Sequence, residues 1–474
     1  MKLPSPPRSV PLLLAGILLS GAALADEKPD ENRDLDLIPQ ATKAPEAAEP
    51  SPAPAATGKI YLEDAFTQSW LRGAVVPFPP PQPAAWQERL LLDVRKEWRL
   101  GHEISLNYSG RLNLRAADGL GFPNHENVTN DLREAYASWE PWERTYLDVG
   151  RINLKSGVAL GFNPTDFFKT RAVAEALSAD PNELRNDRLG TLMLRAQRVW
   201  AQGALTAAYA PAVASPSRIY TDTDLRSFDP MLDRTNAQDR WLLKGSVDIA
   251  QGFSPELLAY HDNGRTRWGA NLAESLSQSV VAYLEWSGGP GQSVIADALR
   301  YGRATGTLPP AAAGVLPTAS SIGFRNELAV GASYTTDLPK ITFNLELHYN
   351  QAGFSGTDWD AWFRAGVGSN RSPVSRSLWY IRNYAVDQQE LISRNAVFLR
   401  ADWVDAFVPK LELSGFINTD LVDGSERVQL SADYYLSDRW TIGGVLLVDS
   451  GARHSNFGSL PQAGSVLLKV ARYF

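Results

Sequence analysis

Apolar and polar residues alternate with a period of two through most of the chain from about residue 87 onward. In the segment HEISLNYSGRLNLRA, Ile104 and Leu106 fall on one side, and Ser105 and Asn107 fall on the other. This period is typical of a β-strand with one apolar and one polar face. A soluble antiparallel sheet with one solvated face gives the same alternation. Its repetition over the whole chain favours a barrel instead.

The alternating segments predict a transmembrane antiparallel β-barrel of about 18 strands, an even number as in single-chain bacterial barrels. The first strand has the weakest alternation and the only room for it precedes the proline-rich segment VPFPPPQPAA. We predict strands near residues 64–76, 87–100, 102–116, 130–140, 143–152, 187–199, 202–211, 238–250, 253–262, 265–275, 277–287, 322–335, 340–350, 391–403, 409–420, 425–436, 439–449 and 464–474.

The lengths of the connections support a membrane barrel. The long connections all belong to one alternating set, which consists of every second connection along the chain. The connections of the other set are short. Outer-membrane barrels have this asymmetry, with short periplasmic turns and long extracellular loops. The long connections are residues 117–129, 153–186, 212–237, 288–321, 352–390 and 450–463.

The first 58 residues read as segments outside the barrel. Lys2 and Arg8 precede an apolar run, and Ala23-Leu24-Ala25 is a small-x-small cleavage site, so we expect residues 1–25 to be a secretory signal that is removed. Residues 26–58 hold eight acids and three bases and are rich in proline and alanine. Such a composition cannot bury enough apolar surface to fold. We therefore expect a disordered periplasmic tether over 26–58 and the barrel over 59–474.

The C-terminal strand is also typical of an outer-membrane barrel. The last predicted strand alternates in character and ends on Phe474, which we expect the barrel-insertion machinery to recognise. The 14 tryptophans suit the aromatic girdles that barrels place at both membrane interfaces. We expect the Gram-negative outer membrane as the location, with its lipid and lipopolysaccharide as surroundings.

Residues 132–168 carry a family resemblance. A strand with an Arg-Glu-aromatic run, Arg133, Glu134 and Tyr136, turns tightly into a strand that ends in Gly150-Arg151. This hairpin resembles that of large Gram-negative porins of 16–18 strands and alginate-export-type barrels. The resemblance implies a conduit, and a barrel of about 16 to 18 strands is wide enough to leave an aqueous channel.

The polar strand faces supply the candidate residues of the lumen. Bases and acids are mixed, which points to small polar or weakly anionic solutes. Equally, arginine and carboxylate pairs across strands could satisfy one another in the wall. The candidates are Arg95, Arg99, Arg111, Arg115, Arg151, Arg195, Lys244, Arg325, Arg427 and Lys469, with Asp93, Glu97, Asp248, Glu327, Glu346 and Asp433.

The long connection that begins at residue 153 is the best candidate for a constriction. Thr165 or Asp166 could cap a helical turn, and AVAEALSA favours a helix. If the segment folds inward, the side chains in the pore would be Asp166, Lys169, Arg171 and Glu175. If it stays outside, it caps the barrel. Elsewhere, Trp359, Trp362, Arg364 and Arg371 could form a sugar-stacking surface, or the tryptophans could belong to a girdle.

Other functions find less support. His348 lies two residues from Glu346 on one strand face, so an acid-base pair and a barrel hydrolase are an alternative, although no nucleophile motif accompanies it. Asp222, Asp224 and Asp229 could bind Ca²⁺, but solvated turn carboxylates explain them as well. We expect no cofactor and no metal. Net acidity, −7 overall, disfavours nucleic acid.

We therefore expect a passive porin-like channel rather than an enzyme. The alternative within transport is an export conduit for a polysaccharide or another secreted substrate. In that case residues 26–58 would dock a periplasmic partner.

Overall fold

The computed structural model describes residues 56–79, 83–118, 128–173, 178–216, 229–250, 252–317, 321–369 and 373–474. The predicted signal, residues 1–25, lies outside the described residues, as does all of the predicted tether before Ala56. The described chain forms one antiparallel sheet of 18 strands. Each strand pairs with its sequence neighbours, and β18 pairs with β1, for instance Tyr473 with Tyr61. The sheet is therefore a closed barrel, which confirms the predicted fold and strand number.

Several of the connections between the strands of this barrel contain helices. The strands are β1 Ala56–Leu71, β2 Trp86–Leu100, β3 Ile104–Ala117, β4 Val128–Trp142, β5 Thr145–Ile152, β6 Thr191–Trp200, β7 Gly203–Ala210, β8 Arg240–Val247, β9 Glu256–Asp262, β10 Arg265–Ser275, β11 Val280–Gly291, β12 Gly323–Thr335, β13 Ile341–Asn350, β14 Asn395–Trp403, β15 Leu411–Asp420, β16 Glu426–Ser437, β17 Trp440–Ser450 and β18 Gln462–Tyr473. The α-helices are α1 Pro181–Asn186, α2 Leu232–Thr235, α3 Val294–Ala304, α4 Gly356–Gly366 and α5 Pro373–Asp387, and the 3-10 helices are Phe167–Lys169, Pro310–Gly314 and Phe457–Ser459.

The first strand begins earlier than its pattern predicts. β1 spans residues 56–71 rather than 64–76, so the barrel starts within the segment assigned to the tether. Its alternation is hard to read because the outward positions include the polar residues Asp64 and Gln68. Pairing with both β2 and β18 sets the register that the side chains leave ambiguous.

The two faces of the wall differ as the period of two requires. On β13, Leu345 and Leu347 point outward and are more than half exposed, whereas Asn344 and Glu346 point inward and are buried. The same alternation continues around the barrel. The outer face is thus apolar, and the inner face carries the polar and charged side chains.

Connections alternate between the two ends of the barrel because neighbouring strands are antiparallel. We call the end with the long connections the loop end and the opposite end the turn end. Two connections at the loop end, residues 263–264 and 421–425, are also short. None of the helices in the described chain is long and apolar enough to span a membrane.

Helices α3, α4 and α5 pack together at the loop end into a helical cap, with Val76 from the β1–β2 connection. Trp359 and Trp362 are 3% and 0% exposed in its apolar core. They therefore form neither a sugar-stacking surface nor a membrane girdle, because helix packing buries both rings. Arg382 lies among them, 5.2 Å from the Trp359 ring centre and 5.4 Å from that of Trp362. Arg371 lies outside the described residues.

Candidate functional site: a loop folded into the barrel

Residues 153–190, which connect β5 to β6 and which we call the inward loop, lie inside the barrel. Residues 174–177 of this loop are not described. The rest contacts inward-facing side chains on three separate parts of the wall. These contacts come in turn from β9–β13, from β14 and β16, and from β2–β4.

Glu285 of β11 holds the first part of the inward loop through backbone amides. Its Oε2 accepts hydrogen bonds from the N–H groups of Val158 and Ala159, at 2.9 and 3.1 Å. Its Oε1 accepts from the N–H and the hydroxyl of Thr165, at 2.7 and 2.9 Å. The Glu285 side chain is completely buried. Such charge-assisted bonds are about twice as strong as neutral ones, and they offset part of the cost of burying the carboxylate.

Glu346 of β13 binds the backbone amides of the next two loop residues in the same way. It accepts hydrogen bonds from the N–H groups of Leu160 and Gly161, at 2.6 and 2.9 Å. Tyr283 donates its hydroxyl to the same carboxylate at 2.8 Å, and His348 Nε2 lies 2.7 Å from it. The predicted pairing of His348 with Glu346 is therefore present. The carboxylate of Glu346 is, however, already hydrogen-bonded to the backbone amides of the loop. We call Glu285 and Glu346 together the carboxylate wall.

Two glycines allow the backbone to approach this wall closely. Gly157 has φ of +95°, and a Cβ built there would lie 2.5 Å from Oε1 of Glu285. A Cβ on Gly161 would lie 2.6 Å from the Phe398 ring. Both the conformation and the lack of space favour glycine at position 157. The sequence GVALG thus suits a backbone that presses against the wall.

An aromatic contact fixes the next part of the loop against β9. Phe167 stacks on Tyr260 with ring centres 4.5 Å apart, and Phe168 meets the same ring edge-on at 5.9 Å. Such pairs contribute about 0.5–1.5 kcal/mol beyond burial of their area. Leu242 and Leu258 complete this cluster. The paired phenylalanines therefore pack against the wall, where both rings are removed from water.

The loop next crosses to β14 and β16. Asp180 lies 2.6 Å from the guanidinium of Arg400, which also binds Asp402 at 2.7 Å. Gln429 accepts a hydrogen bond from the N–H of Ala179 at 2.8 Å. Asp180 also caps helix α1 by accepting from Asn182 N. This second contact holds the loop from a different part of the wall than the aromatic cluster does.

Arg95, Arg111 and Arg133, on β2, β3 and β4, form what we call the arginine wall. Asp187 of the loop lies 2.9 Å from Arg111 and from Arg133, and 3.6 Å from Arg95. Asp93 pairs with the same three arginines at 2.6–3.6 Å. Burial opposes ionisation, but the arginines hold the pKa of Asp187 below its usual range. In these ion pairs three cations face two anions.

A β-bulge positions one member of the arginine wall. The register between β3 and β4 shifts at Arg133, which has no cross-strand partner on β3. The extra residue lets both Arg133 and Glu134 point inward. Glu134 accepts a hydrogen bond from the N–H of Asn153 at 3.0 Å, where the inward loop begins. The Arg-Glu-aromatic run of the hairpin therefore anchors the start of this loop.

Two other loops contact the inward loop. Asp387, at the end of α5, binds Arg171 at 3.1 Å and Arg234 at 2.7 Å. Glu390 lies 3.7 Å from Nζ of Lys169. Burial, followed by the charge of Glu327, raises the pKa of Glu390 to about 7. The helical cap and the inward loop are thus joined through charged groups.

The structure places most of the candidate lumen residues on the inner face of the strands. Arg111 and Arg115 are buried, whereas the side chains of Arg95 and Arg99 are 48% exposed. Arg325 has no carboxylate within ion-pair distance in the described part of the chain. Asp248 lies in the turn after β8. Several others are paired across strands: Arg195 with Asp148, Lys244 with Glu256, Glu327 with Arg267, Arg427 with Asp449 and Lys469 with Asp433.

The candidate residues of the inward loop lie inside the barrel but do not line open space. Asp166 is buried against Arg188 at 2.9 Å. Lys169 and Arg171 are 5% exposed and serve the contacts to neighbouring loops. Arg151 is buried as well and donates to the carbonyls of Gly190 and Pro230. Close packing of the folded loop turns these charges away from solvent.

The predicted helix cap is wrong. Asp166 precedes a 3-10 helix without a side-chain capping bond, and Thr165 binds Glu285 and Asn271 instead. A buried carboxylate nearby offers a stronger partner than a helix amide. Glu175 and half of AVAEALSA lie outside the described residues, as do Asp222 and Asp224.

Sequence reasoning missed Glu285 and Asp187. Glu285 alternates with the outward residues Leu284 and Trp286, so its inward face was readable. Its role as an anchor was not, because the partners are backbone amides about 120 residues away. Asp187 looked like part of a strand, whereas β6 begins at Thr191.

No family model matches the chain, and no curated protein matches it. Solved structures do. OccK5 (OpdH) of Pseudomonas aeruginosa is similar at 9% identity with a TM-score of 0.50, over 88% of this chain and 98% of that one. OccK2 (OpdF) of the same organism, solved with glucuronate, gives 10% and 0.48 over the same shares. A mutant of the Rh. blastica porin gives 11% and 0.38, over 88% of this chain and all of that one.

The first of these similarities concerns the fold alone. It agrees with the strand count, the closure and the antiparallel pairing described above. The chain therefore has the fold of the large porins, a closed antiparallel barrel of 18 strands.

Proposed function

We propose that the protein is a porin-type channel of the Gram-negative outer membrane that passes small polar or weakly anionic solutes. The observation that carries the proposal is the inward loop, which crosses the lumen of an 18-strand barrel and is held by the carboxylate wall. Barrels of about 16 to 18 strands leave an aqueous channel. A loop fixed inside such a barrel narrows the passage without closing the wall.

The charges support a weak preference for anions. Most lumen arginines are paired with carboxylates, so they do not form a continuous cationic surface. Arg325 near the loop end, Arg95 beside the inward loop and Arg99 near the turn end are the cations best placed to meet a solute. Positive groups at the mouths of a pore raise the local concentration of anions.

The enzyme alternative loses its main support from this arrangement. His348 and Glu346 have side chains 1% and 0% exposed, and the carboxylate accepts loop amides. A general base must reach the proton that it removes. The pair therefore serves better as an anchor than as a catalytic group.

The proposal includes the placement of the chain in the membrane. The loop end faces the exterior and the turn end the periplasm, as in other bacterial barrels. Residues 1–25 are a signal that is removed, and the segment before β1 is a periplasmic tether. The strand that ends near Phe474 contacts the insertion machinery.

Single-channel recording tests the proposal. The protein without residues 1–25 is refolded and inserted into a planar bilayer, and its conductance and reversal potential are measured in a salt gradient. Steady openings proportional to salt, with a modest anion preference, are expected. A folded barrel that never conducts would overturn the proposal.

A further inference from the structure

A groove of about 830 Å³ lies on the outer face of the barrel. Its inner surface includes outward-facing alanines on β4, β6, β7 and β9, and bulky residues on β5 and β8 lie between them. Tyr209 and Trp241, with rings stacked 4.0 Å apart, form one edge. The small residues are Ala137, Ala196, Ala207 and Ala259.

The groove follows the direction of strand pairing. Ala196 of β6 pairs with Ala207 of β7, and the same row continues through Leu243 to Ala259. It extends in the other direction through Leu147 and Trp139 to β4. With strands about 4.8 Å apart, six strands span about 24 Å.

An arginine lies beside this groove on the largely apolar outer face. Arg198 is exposed, two residues beyond Ala196 on the same face and towards the turn end. Its Nη1 donates a hydrogen bond of 3.4 Å to the hydroxyl of Thr145. No carboxylate pairs with it among the residues that the structure describes. Trp200, on the same face, is 40% exposed, as expected at an interface.

An unpaired cation on the lipid-facing surface is unfavourable unless it reaches the interface or an anion. The groove and Arg198 together offer an apolar slot with a cation beside it, on the side of the turn end. We propose that the groove binds one acyl chain of a phospholipid whose phosphate contacts Arg198. The inference takes from the proposed function only that the outer face lies in a membrane.

The length of the groove fits this ligand. One leaflet contributes about 15 Å of a hydrocarbon core about 30 Å thick, which is less than the span of the groove. Guanidinium groups bind phosphate oxygens in a paired geometry. Because Arg198 lies near the turn end, the lipid belongs to the leaflet on that side.

Native mass spectrometry of the refolded barrel with added phosphatidylglycerol tests the inference. The wild type should retain one lipid under activation that removes the others. Ala207→Trp fills the slot and should reduce this retention at least tenfold, and Arg198→Gln should reduce it severalfold. Ala332→Trp places the same ring on an exposed outer position of β12 and should have no effect.

Each contrary result is distinct. Equal retention by wild type and Ala207→Trp would overturn the inference, as would retention of lipopolysaccharide in place of phosphatidylglycerol. Oligomers that Ala207→Trp dissociates would assign the groove to a second copy. Heat-modifiable mobility on a gel checks that each variant is folded. Ala207→Trp should conduct as the wild type does, so a silent channel would count against the proposed function and not against the lipid site.

Discussion

The carboxylate wall and the arginine wall hold the same loop by opposite means. Glu285 and Glu346 are 0% exposed and bind backbone amides, so they fix the course of the loop whatever side chains it carries. The arginine wall binds a single loop side chain, Asp187, which is 29% exposed. Of its three cations, Arg111 and Arg133 are buried, and Arg95 is 48% exposed.

This difference assigns a separate role to each wall. Buried charge-assisted bonds are expensive to lose because both partners are then left unsatisfied. An ion pair with an exposed partner, such as that of Arg95 with Asp187, contributes little to stability, but it contributes to the charge that a passing ion meets. We therefore expect the carboxylate wall to control the width of the passage and the arginine wall to control its selectivity.

The largest effect should come from the double variant Glu285→Gln and Glu346→Gln. Each lost charge-assisted bond costs about 1.5–3 kcal/mol, so the loop should leave the wall and single-channel conductance should rise severalfold. The matched control is Glu97→Gln. Glu97 also points inward, but it lies near the turn end and pairs with Arg99. Unchanged conductance in the double variant would show that these carboxylates do not determine the passage.

A smaller increase in conductance is expected for Gly157→Ala. The added Cβ would collide with the Glu285 carboxylate and the backbone conformation is unfavourable for alanine, at a cost of about 1–3 kcal/mol. Gly306→Ala has a similar positive φ with open space around it and serves as the control. Bilayer recordings should show noisier, wider openings for the first variant alone. Identical traces from both variants would contradict a tight contact at position 157.

Asp187→Asn should alter selectivity more than width. It removes one of the two anions facing Arg95, Arg111 and Arg133. The reversal potential should shift towards stronger anion preference, with conductance in symmetric salt little changed. Arg95→Gln should shift it the other way. A large rise in conductance for Asp187→Asn would mean that this wall also positions the loop.

The smallest effect concerns pH. Because burial and Glu327 raise the pKa of Glu390 from 4.5 to about 7, the folded protein binds a proton that the unfolded chain has released. Stability should therefore fall as pH rises through this window. Glu390→Gln should remove that part of the dependence. Thermal unfolding midpoints at the two ends of the window, for wild type and variant, measure it, and parallel curves would contradict the assignment.

The sequence predicts the barrel well because the alternation within each strand shows which side chains face inward and which face outward. Parity alone identifies the inward side of β13, including Glu346 and His348. It cannot tell which inward residues a distant loop covers, as with Glu285. Nor can it show that Trp359 lies in a helical cap, since that depends on packing between loops far apart in the chain. Cross-strand pairs such as Arg195 with Asp148 are predictable only in part, because parity gives the face of each residue but not the register between the two strands.

The most direct test of the account is a reversible tether between loop and wall. The chain has no cysteine, and Ala159 of the loop and Ala329 of β12 share one buried apolar cluster. Cysteines at both positions are introduced into the Glu285→Gln, Glu346→Gln variant, and its conductance is recorded oxidised and then reduced. The account predicts a low, wild-type conductance when the disulfide is closed and a severalfold higher one after reduction. Equal conductance in both states, with the disulfide shown to form, would contradict it.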